Sequence, residues 1–572
     1  MKAGLENRRL WPAILAAAAL FYVAFGAYAV IRGRTWSDEI TYVAKSWWYV
    51  QGLVAPYSDA DATWYMPLYF TLLGLVQAAI GPGLITGRAL SLVLGGLSGG
   101  LLFACCRKLT GNPAAAALAV LLYFLTPATT YYFATATPLA AVALLLMGGV
   151  WLVAKGPDRG TPANTAMLGL VFALLFFFRQ NMILAVAVLA PAYLWTLRER
   201  RLMHGVLLAG ATAAVSAAIL AAFPDRLAEY AVRLPGLTPV LRLVGLLPER
   251  FDLILSATAS PLSLAFEPGR ISAWDLYNAF LLPYAGTIAA SVAALVLARK
   301  KPLWLLAPAL FFFLAGTHYL GSVGYCPTCI LTYTNYFVGV GALAAGLAFA
   351  VLWARRESTN RAPLPGVLPV CAAAILLNVF ASGAVMSSDP QIAEGFTGFP
   401  APMLRQTQPS SERHDMEMLA GQIDKALPPG KVLVLHNLPS ITYAVFRSGR
   451  VPPPQSLNLW QSYREVRRDV AAEDQAAVAR ALEAESLWTD ETLARWLTAD
   501  YDAVVYQEGM APRPVLEGAL ARDFESAGRV DYRGWKIGFY IRRSRSAPAD
   551  AATARRMVCE LEAIRRGFGT GC

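Results

Sequence analysis

The segment WYMPLYFTLLGLVQAAIG, Trp64 to Gly81, decides how this chain is threaded. By hydropathy alone it passes for a membrane span. Its uninterrupted apolar run is short for one, closer to the length of a helix lying at an interface. Counted as a span, it would move Arg107-Lys108 and most later basic clusters to the outer side. Read as a surface helix, it leaves them inside, where short loops next to span ends are enriched in Lys and Arg. The expectation is therefore a helix at the outer surface.

The rest of the chain agrees with a membrane setting. Of its 572 residues 56% are hydrophobic and only 15% charged, and apolar windows of about 20 residues, enough to cross hydrocarbon, recur along it. The first, Trp11 to Ile31, follows Lys2, Arg8 and Arg9. It is too long for a removed signal peptide and lacks a small-residue cleavage site. A net charge of +11 raises the question of nucleic acid, but the basic residues sit in short loops: Arg107-Lys108, Lys155 to Arg159, Arg198 to Arg201, Arg299 to Lys301 and Arg355 to Arg361. That distribution marks topology, and no nucleic-acid partner is expected.

With those loops inside, about eleven transmembrane helices are expected, roughly 12–31, 84–105, 114–133, 137–154, 163–178, 181–197, 203–223, 276–298, 303–320, 330–353 and 364–385. The division is a transmembrane domain over 1–389, with outer loops 32–83 and 224–275, and a soluble α/β domain over 390–572. In the latter SERHDMEMLAGQIDKAL reads as a polar helix with an apolar stripe, and KVLVLH, DAVVYQ and KIGFYI as strands. The stretches between are expected to be helical. An odd number of spans after an inward N-terminus puts this domain outside. Cys105, Cys106 and Cys371 fall in or near spans as packing residues. Cys326 and Cys329, in YCPTC, fall in an outer loop, where a disulfide is the expectation. A redox or metal role for that CxxC has no second Cys or His pair to support it.

Just past the first span stands WSDEITYVAKSWW, Trp36 to Trp48. On a helix starting near Asp38, the residues Ile40, Val43, Ala44, Trp47 and Trp48 share one face, and tryptophan favours the membrane–water boundary. Asp38, Tyr42, Lys45 and Tyr49 form a polar stripe. Carboxylates at a helix start are favoured by the dipole, so one reading of the Asp-Glu pair is a cap.

In this order, an Asp-Glu pair after the first span, an aromatic-rich helix, MPLYF (Met66 to Phe70) and GRALSLVLGGLSGGLLFACCRKLTG (Gly87 to Gly111) resemble the GT-C glycosyltransferases. The likeness is to the branch holding the protein O-mannosyltransferases and the lipid A aminoarabinose transferase. It covers most of the chain in architecture and about the first 110 residues in motifs. Met66 stands where relatives often carry a basic residue, and YYFATATPLAA lacks the acidic residue often found in the second outer loop.

The resemblance implies sugar transfer from a polyprenyl-phosphate sugar donor, on the periplasmic face of a bacterial inner membrane, to a lipid, glycan or protein acceptor. A carboxylate must take the acceptor proton, and a cation must meet the leaving phosphate. Asp38 is the expected base, with Glu39 orienting it or holding the acceptor. Asp59, Asp61 and Tyr65, in the loop before MPLYF, are acceptor-binding candidates, and so is His318, for which a structural role is the competing reading. Arg179 interrupts LLFFFRQNMILAV, where an arginine between apolar runs calls for a partner. Its fork suits a phosphate; snorkelling is the alternative. Arg88, at the outer start of the second span, is a further phosphate candidate. No cofactor is required by these residues, and a divalent metal is left open. The competing functions are a transporter or flippase of lipid-linked glycans, for which no internal repeat is found, and an oligosaccharide polymerase or ligase.

Overall fold

The computed structural model describes residues 2–33, 35, 37–54, 66–156, 160–197, 200–222, 277–299, 301–322, 327–358, 364–388, 411–436, 438–453, 490–509 and 513–543. Asp59, Asp61, Tyr65, Cys326 and the loop 224–275 lie outside the described residues, as does the side chain of Cys329. The expected disulfide therefore lies outside them too.

The chain is a polytopic helical membrane protein with a small C-terminal sheet. Its first helices are α1 (Lys2–Arg32), α2 (Ser37–Val50), α3 (Pro67–Ile80) and α4 (Leu84–Thr110). Then come α5 (Pro113–Phe124), α6 (Pro127–Phe133), α7 (Leu139–Lys155), α8 (Pro162–Phe178), α9 (Ile183–Thr196) and α10 (Arg201–Ala222). The apolar part closes with α11 (Ala285–Leu297), α12 (Pro302–Ser322), α13 (Pro327–Thr334), α14 (Val338–Glu357) and α15 (Leu364–Ser388). Among the described residues five helices are long and apolar enough to cross a membrane singly, and the bent pair α5–α6 makes a sixth. The other expected spans appear as shorter apolar helices. Large apolar side chains such as Leu20, Val93, Leu202 and Phe380 point outward, 60 to 84% exposed. In water that belt would be costly; in lipid it is the matching surface.

Local sequence signals set the ends. Extended Met66 and Pro67 at the first helical position start α3, and Gly81, at φ 130°, ends it. At 14 residues α3 is about 21 Å long, too short for the hydrocarbon layer. Its Tyr69, Phe70, Leu73 and Gln77 are buried against protein. Gly111, at φ 68°, stops α4; Asn112 then caps α5 by accepting from the backbone N–H groups of Ala114 and Ala115, with Pro113 at the first position. This stop–start signal turns the chain at the far end of the bundle.

One expected span is corrected. Residues 114–133 do not form one straight helix: the axis turns by 69° between α5 and α6. Pro127 has no N–H to continue the ladder, and the Thr126 hydroxyl takes up the carbonyl of Leu122 instead. The expected helix over 276–298 is likewise interrupted, by a π turn at Tyr277–Leu281 ahead of α11.

The C-terminal domain contains α16 (Ser411–Ala426), β1 (Leu433–Leu435), α17 (Pro439–Arg447), α18 (Asp490–Arg495), β2 (Ala503–Gln507), α19 (Arg513–Asp523), β3 (Phe524–Tyr532) and β4 (Trp535–Arg542). The strand order is β1-β2-β4-β3, with β1 parallel to β2 and the other pairs antiparallel. The polar helix is α16, whose Met416, Leu419, Ala420 and Ile423 form its buried stripe, continued by Leu427 just past its end. β1, β2 and β4 are the strands expected from KVLVLH, DAVVYQ and KIGFYI. β3 was expected to be helical and is a strand instead. It is the sheet's edge, with several exposed residues, so it lacks the apolar alternation of an inner strand. A two-residue turn at Arg533-Gly534, both with positive φ, folds it onto β4.

This domain is seated on the end of the bundle that carries α2 and the start of α4. Arg413 Nη1 donates to the Ile31 carbonyl at 3.3 Å, and Arg447 Nη1 to the Pro82 carbonyl at 3.3 Å. Phe446 on α17 meets the Trp48 ring of α2 edge-on at 6.2 Å. α2 was expected to lie at the membrane surface with a polar stripe outward. Instead Tyr42 and Lys45 of that stripe are buried with Ile40, Val43, Ala44 and Trp48. The helix is sandwiched between α3, α4 and the C-terminal domain, whose cover no local pattern announces.

Candidate active site

The Asp-Glu pair splits into two environments. Glu39 is fully buried. Arg88 Nε donates to its Oε1 at 2.7 Å, Arg88 Nη2 to its Oε2 at 2.8 Å, and the Ala136 N–H to its Oε1 at 2.7 Å. Arg88, 1% exposed, spends its remaining Nη1 on the carbonyls of Val30 at 3.1 Å and Gly33 at 2.9 Å. One bidentate pair thus ties together the end of α1, the start of α2, α4 and the loop between α6 and α7. Gly87 permits that approach: a Cβ there would lie 2.7 Å from Ala136 Cβ. The sequence placed Arg88 at a donor phosphate. Its geometry gives it a carboxylate and two carbonyls inside the protein, and Glu39 is likewise turned inward.

Asp38, one residue earlier, is exposed. It lies within electrostatic range of Arg179, Tyr42 and Tyr336. Arg179 caps α8 in extended conformation, ahead of a single 3-10 turn at Gln180–Met182. That break aims its side chain across the bundle to α13 and the turn after it. Nη2 donates to the Tyr333 hydroxyl at 3.0 Å, and the guanidinium stands 5.1 Å from the Tyr333 ring centre and 5.8 Å from that of Tyr336. Two segments far apart in sequence, each expected to carry chemistry, therefore meet at one place.

His318, on α12, faces Tyr333, Tyr336 and Phe337 with ring centres 5.3 to 6.3 Å away. Its Nδ1 lies 2.8 Å from the Leu314 carbonyl, which can only accept, so Nδ1 carries the proton. Nε2 then accepts from Asn181 Nδ2 at 3.1 Å. Both ring nitrogens are engaged within the protein, the arrangement that the structural reading of His318 expects.

Tyr42 carries the arrangement onward to MPLYF, packing on Tyr69 at 5.0 Å and Phe70 at 4.9 Å. Gln77 Nε2 donates to the Val43 carbonyl at 3.0 Å and to the Ser46 hydroxyl at 2.7 Å, locking α3 to α2. Sequence reasoning missed Tyr42, Tyr333 and Tyr336 as site residues. In LTYTNYF the latter two recur at a spacing of three near the outer end of a span. That is the mark of an aromatic wall, legible only once Arg179 is seen to need one.

For a divalent metal, the described residues offer no cluster of three or more His, Cys, Asp or Glu side chains. No step is assigned to one here.

No family profile matches the chain, and no curated protein matches it. Among solved structures it is similar to ArnT from Cupriavidus metallidurans bound to undecaprenyl phosphate, at 13% identity and TM-score 0.55, covering 94% of this chain and 99% of that one. It is similar also to the apo state of the same protein, at 15% identity and TM-score 0.56, covering 93% and 98%. At this identity the likeness speaks for the fold alone: over nearly its whole length, helical part and sheet together, the chain is built as ArnT is built.

Proposed function

We propose that the chain is a GT-C membrane glycosyltransferase that moves a sugar from a polyprenyl-phosphate donor to a hydroxyl of a cell-envelope acceptor on the periplasmic face. The observation that carries the reading is the convergence of Asp38 and Arg179 at the outer end of a bundle whose fold is that of a protein crystallised with undecaprenyl phosphate. The reaction needs one base and one phosphate partner, and the site supplies one of each. Asp38 takes the acceptor proton as the acceptor oxygen bonds to the anomeric carbon. The bond from that carbon to the donor phosphate oxygen breaks, and the polyprenyl phosphate leaves with the electron pair. A single displacement of this kind inverts the anomeric centre. Arg179 balances the charge that develops on the leaving group. The Tyr333 hydroxyl, already accepting from Arg179, keeps its own proton to donate to the same phosphate. Glu39 and Arg88 hold the start of α2, and with it Asp38, in register.

Purified protein given radiolabelled polyprenyl-phosphate sugar and envelope lipid extract should move label to an acceptor and release polyprenyl phosphate. Movement of the donor across vesicles without transfer would replace this reading with the transporter. Binding of undecaprenyl phosphate should weaken about 10- to 100-fold in Arg179→Ala, the effect of losing a charge-assisted hydrogen bond. In Tyr333→Phe it should weaken less. Equal binding in Arg179→Ala and wild type, by scintillation proximity, would remove Arg179 from the phosphate site.

Side-specific labelling of single cysteines tests the threading. A cysteine at 418 on α16 should react from outside intact cells, and one at 108 only after permeabilisation. The reverse pattern would place the α2 site on the cytoplasmic face.

A further inference from the structure

A cavity of about 680 Å³ opens at the end of the bundle opposite Asp38 and Arg179. From Arg88 to Arg107 helix α4 rises about 29 Å, so this cavity lies roughly one hydrocarbon thickness from the candidate active site. The stop–start turn Gly111–Asn112–Pro113 forms one wall, and the ends of α1, α12 and α14 form the others. Three tryptophans line it, Trp11, Trp304 and Trp353, together with two cations, Arg107 and Lys301. Lys301 Nζ stands 3.8 Å above the Trp304 ring, which fixes that charge at the rim. Among the described residues that line the cavity the charged ones are both basic.

We infer that this cavity binds the head group of an anionic phospholipid from the leaflet opposite the active site. Indole rings favour the head-group level, and a basic pocket between span ends is the arrangement that recognises phosphate-bearing heads. The volume suits a ligand of that size, and the apolar walls at Leu15 and Phe103 continue toward the acyl region. The inference is independent of the proposed reaction, since the site lies across the membrane from it.

The test is native mass spectrometry of the delipidated full-length protein titrated with phosphatidylglycerol and phosphatidylcholine of matched chains. Wild type should bind phosphatidylglycerol in preference, and equal binding of the two lipids overturns the proposal without any variant. Arg107→Gln and Lys301→Gln should each lower phosphatidylglycerol affinity about fivefold, leaving phosphatidylcholine unchanged. Lys155→Gln removes a cation that stacks on Trp151 at 3.3 Å at the same end of the bundle but outside the cavity. It should change nothing, and a loss equal to that of the cavity variants would reduce the effect to general surface charge. Displacement of the lipid by millimolar inorganic phosphate would assign the cavity to free phosphate and reject the lipid.

Discussion

Asp38→Asn should fold as wild type does, bind undecaprenyl phosphate with unchanged affinity, and lose transfer by about 10²–10⁴-fold, the usual effect of removing a general base. The substitution separates two roles that the position alone allows. If the carboxylate only capped α2, asparagine would serve as well, since the two are equally good caps. Asp38 is exposed and lies within electrostatic range of Arg179, whereas its neighbour Glu39 is buried on Arg88. The effect should therefore fall on turnover and spare stability. Turnover near wild type at saturating donor, measured with purified protein, would remove Asp38 from the chemistry.

The mirror-image result is expected one residue along. Removing one member of a buried ion pair leaves the other charged and unsolvated, which typically costs about 3–5 kcal/mol. Arg88→Ala strands Glu39 and frees the carbonyls of Val30 and Gly33, which together fix the entry to α2. Thermal unfolding in detergent should show a loss of that size, and turnover of the folded fraction should fall too, with donor binding kept, because the start of α2 and Asp38 lose their register. Glu39→Gln keeps the shape but removes the charge, and should lie between wild type and Arg88→Ala. If Arg88→Ala unfolded at the wild-type temperature yet lost donor binding, Arg88 would return to the donor phosphate.

Much of this was open to reading along the chain. The membrane class followed from composition, and α3 followed from a short apolar run bounded by Pro67 and Gly81. Asp38, Glu39, Arg88 and Arg179 stood out as charges at span ends, because a charge next to hydrocarbon needs a partner. Which partner each takes was not legible. Arg88 and Arg179 look alike in one dimension, each a basic residue at the outer end of an apolar helix. The first is closed off by the Glu39 carboxylate in the first turn of α2; the second, turned by the break at Gln180, meets two tyrosines within electrostatic range of Asp38.

The sequence by itself determined the membrane class, the short helix α3, the polar helix α16 and three of the four strands. Each rests on local periodicity, length or composition, which a short window contains in full. Only the tertiary structure decided that α2 is buried beneath the C-terminal domain, that Glu39 belongs to Arg88 and Arg179 to Tyr333, and that His318 pairs with Asn181. Those assignments depend on which groups meet across elements far apart in sequence. Desolvation makes such pairings strong, but it acts only after the helices have packed.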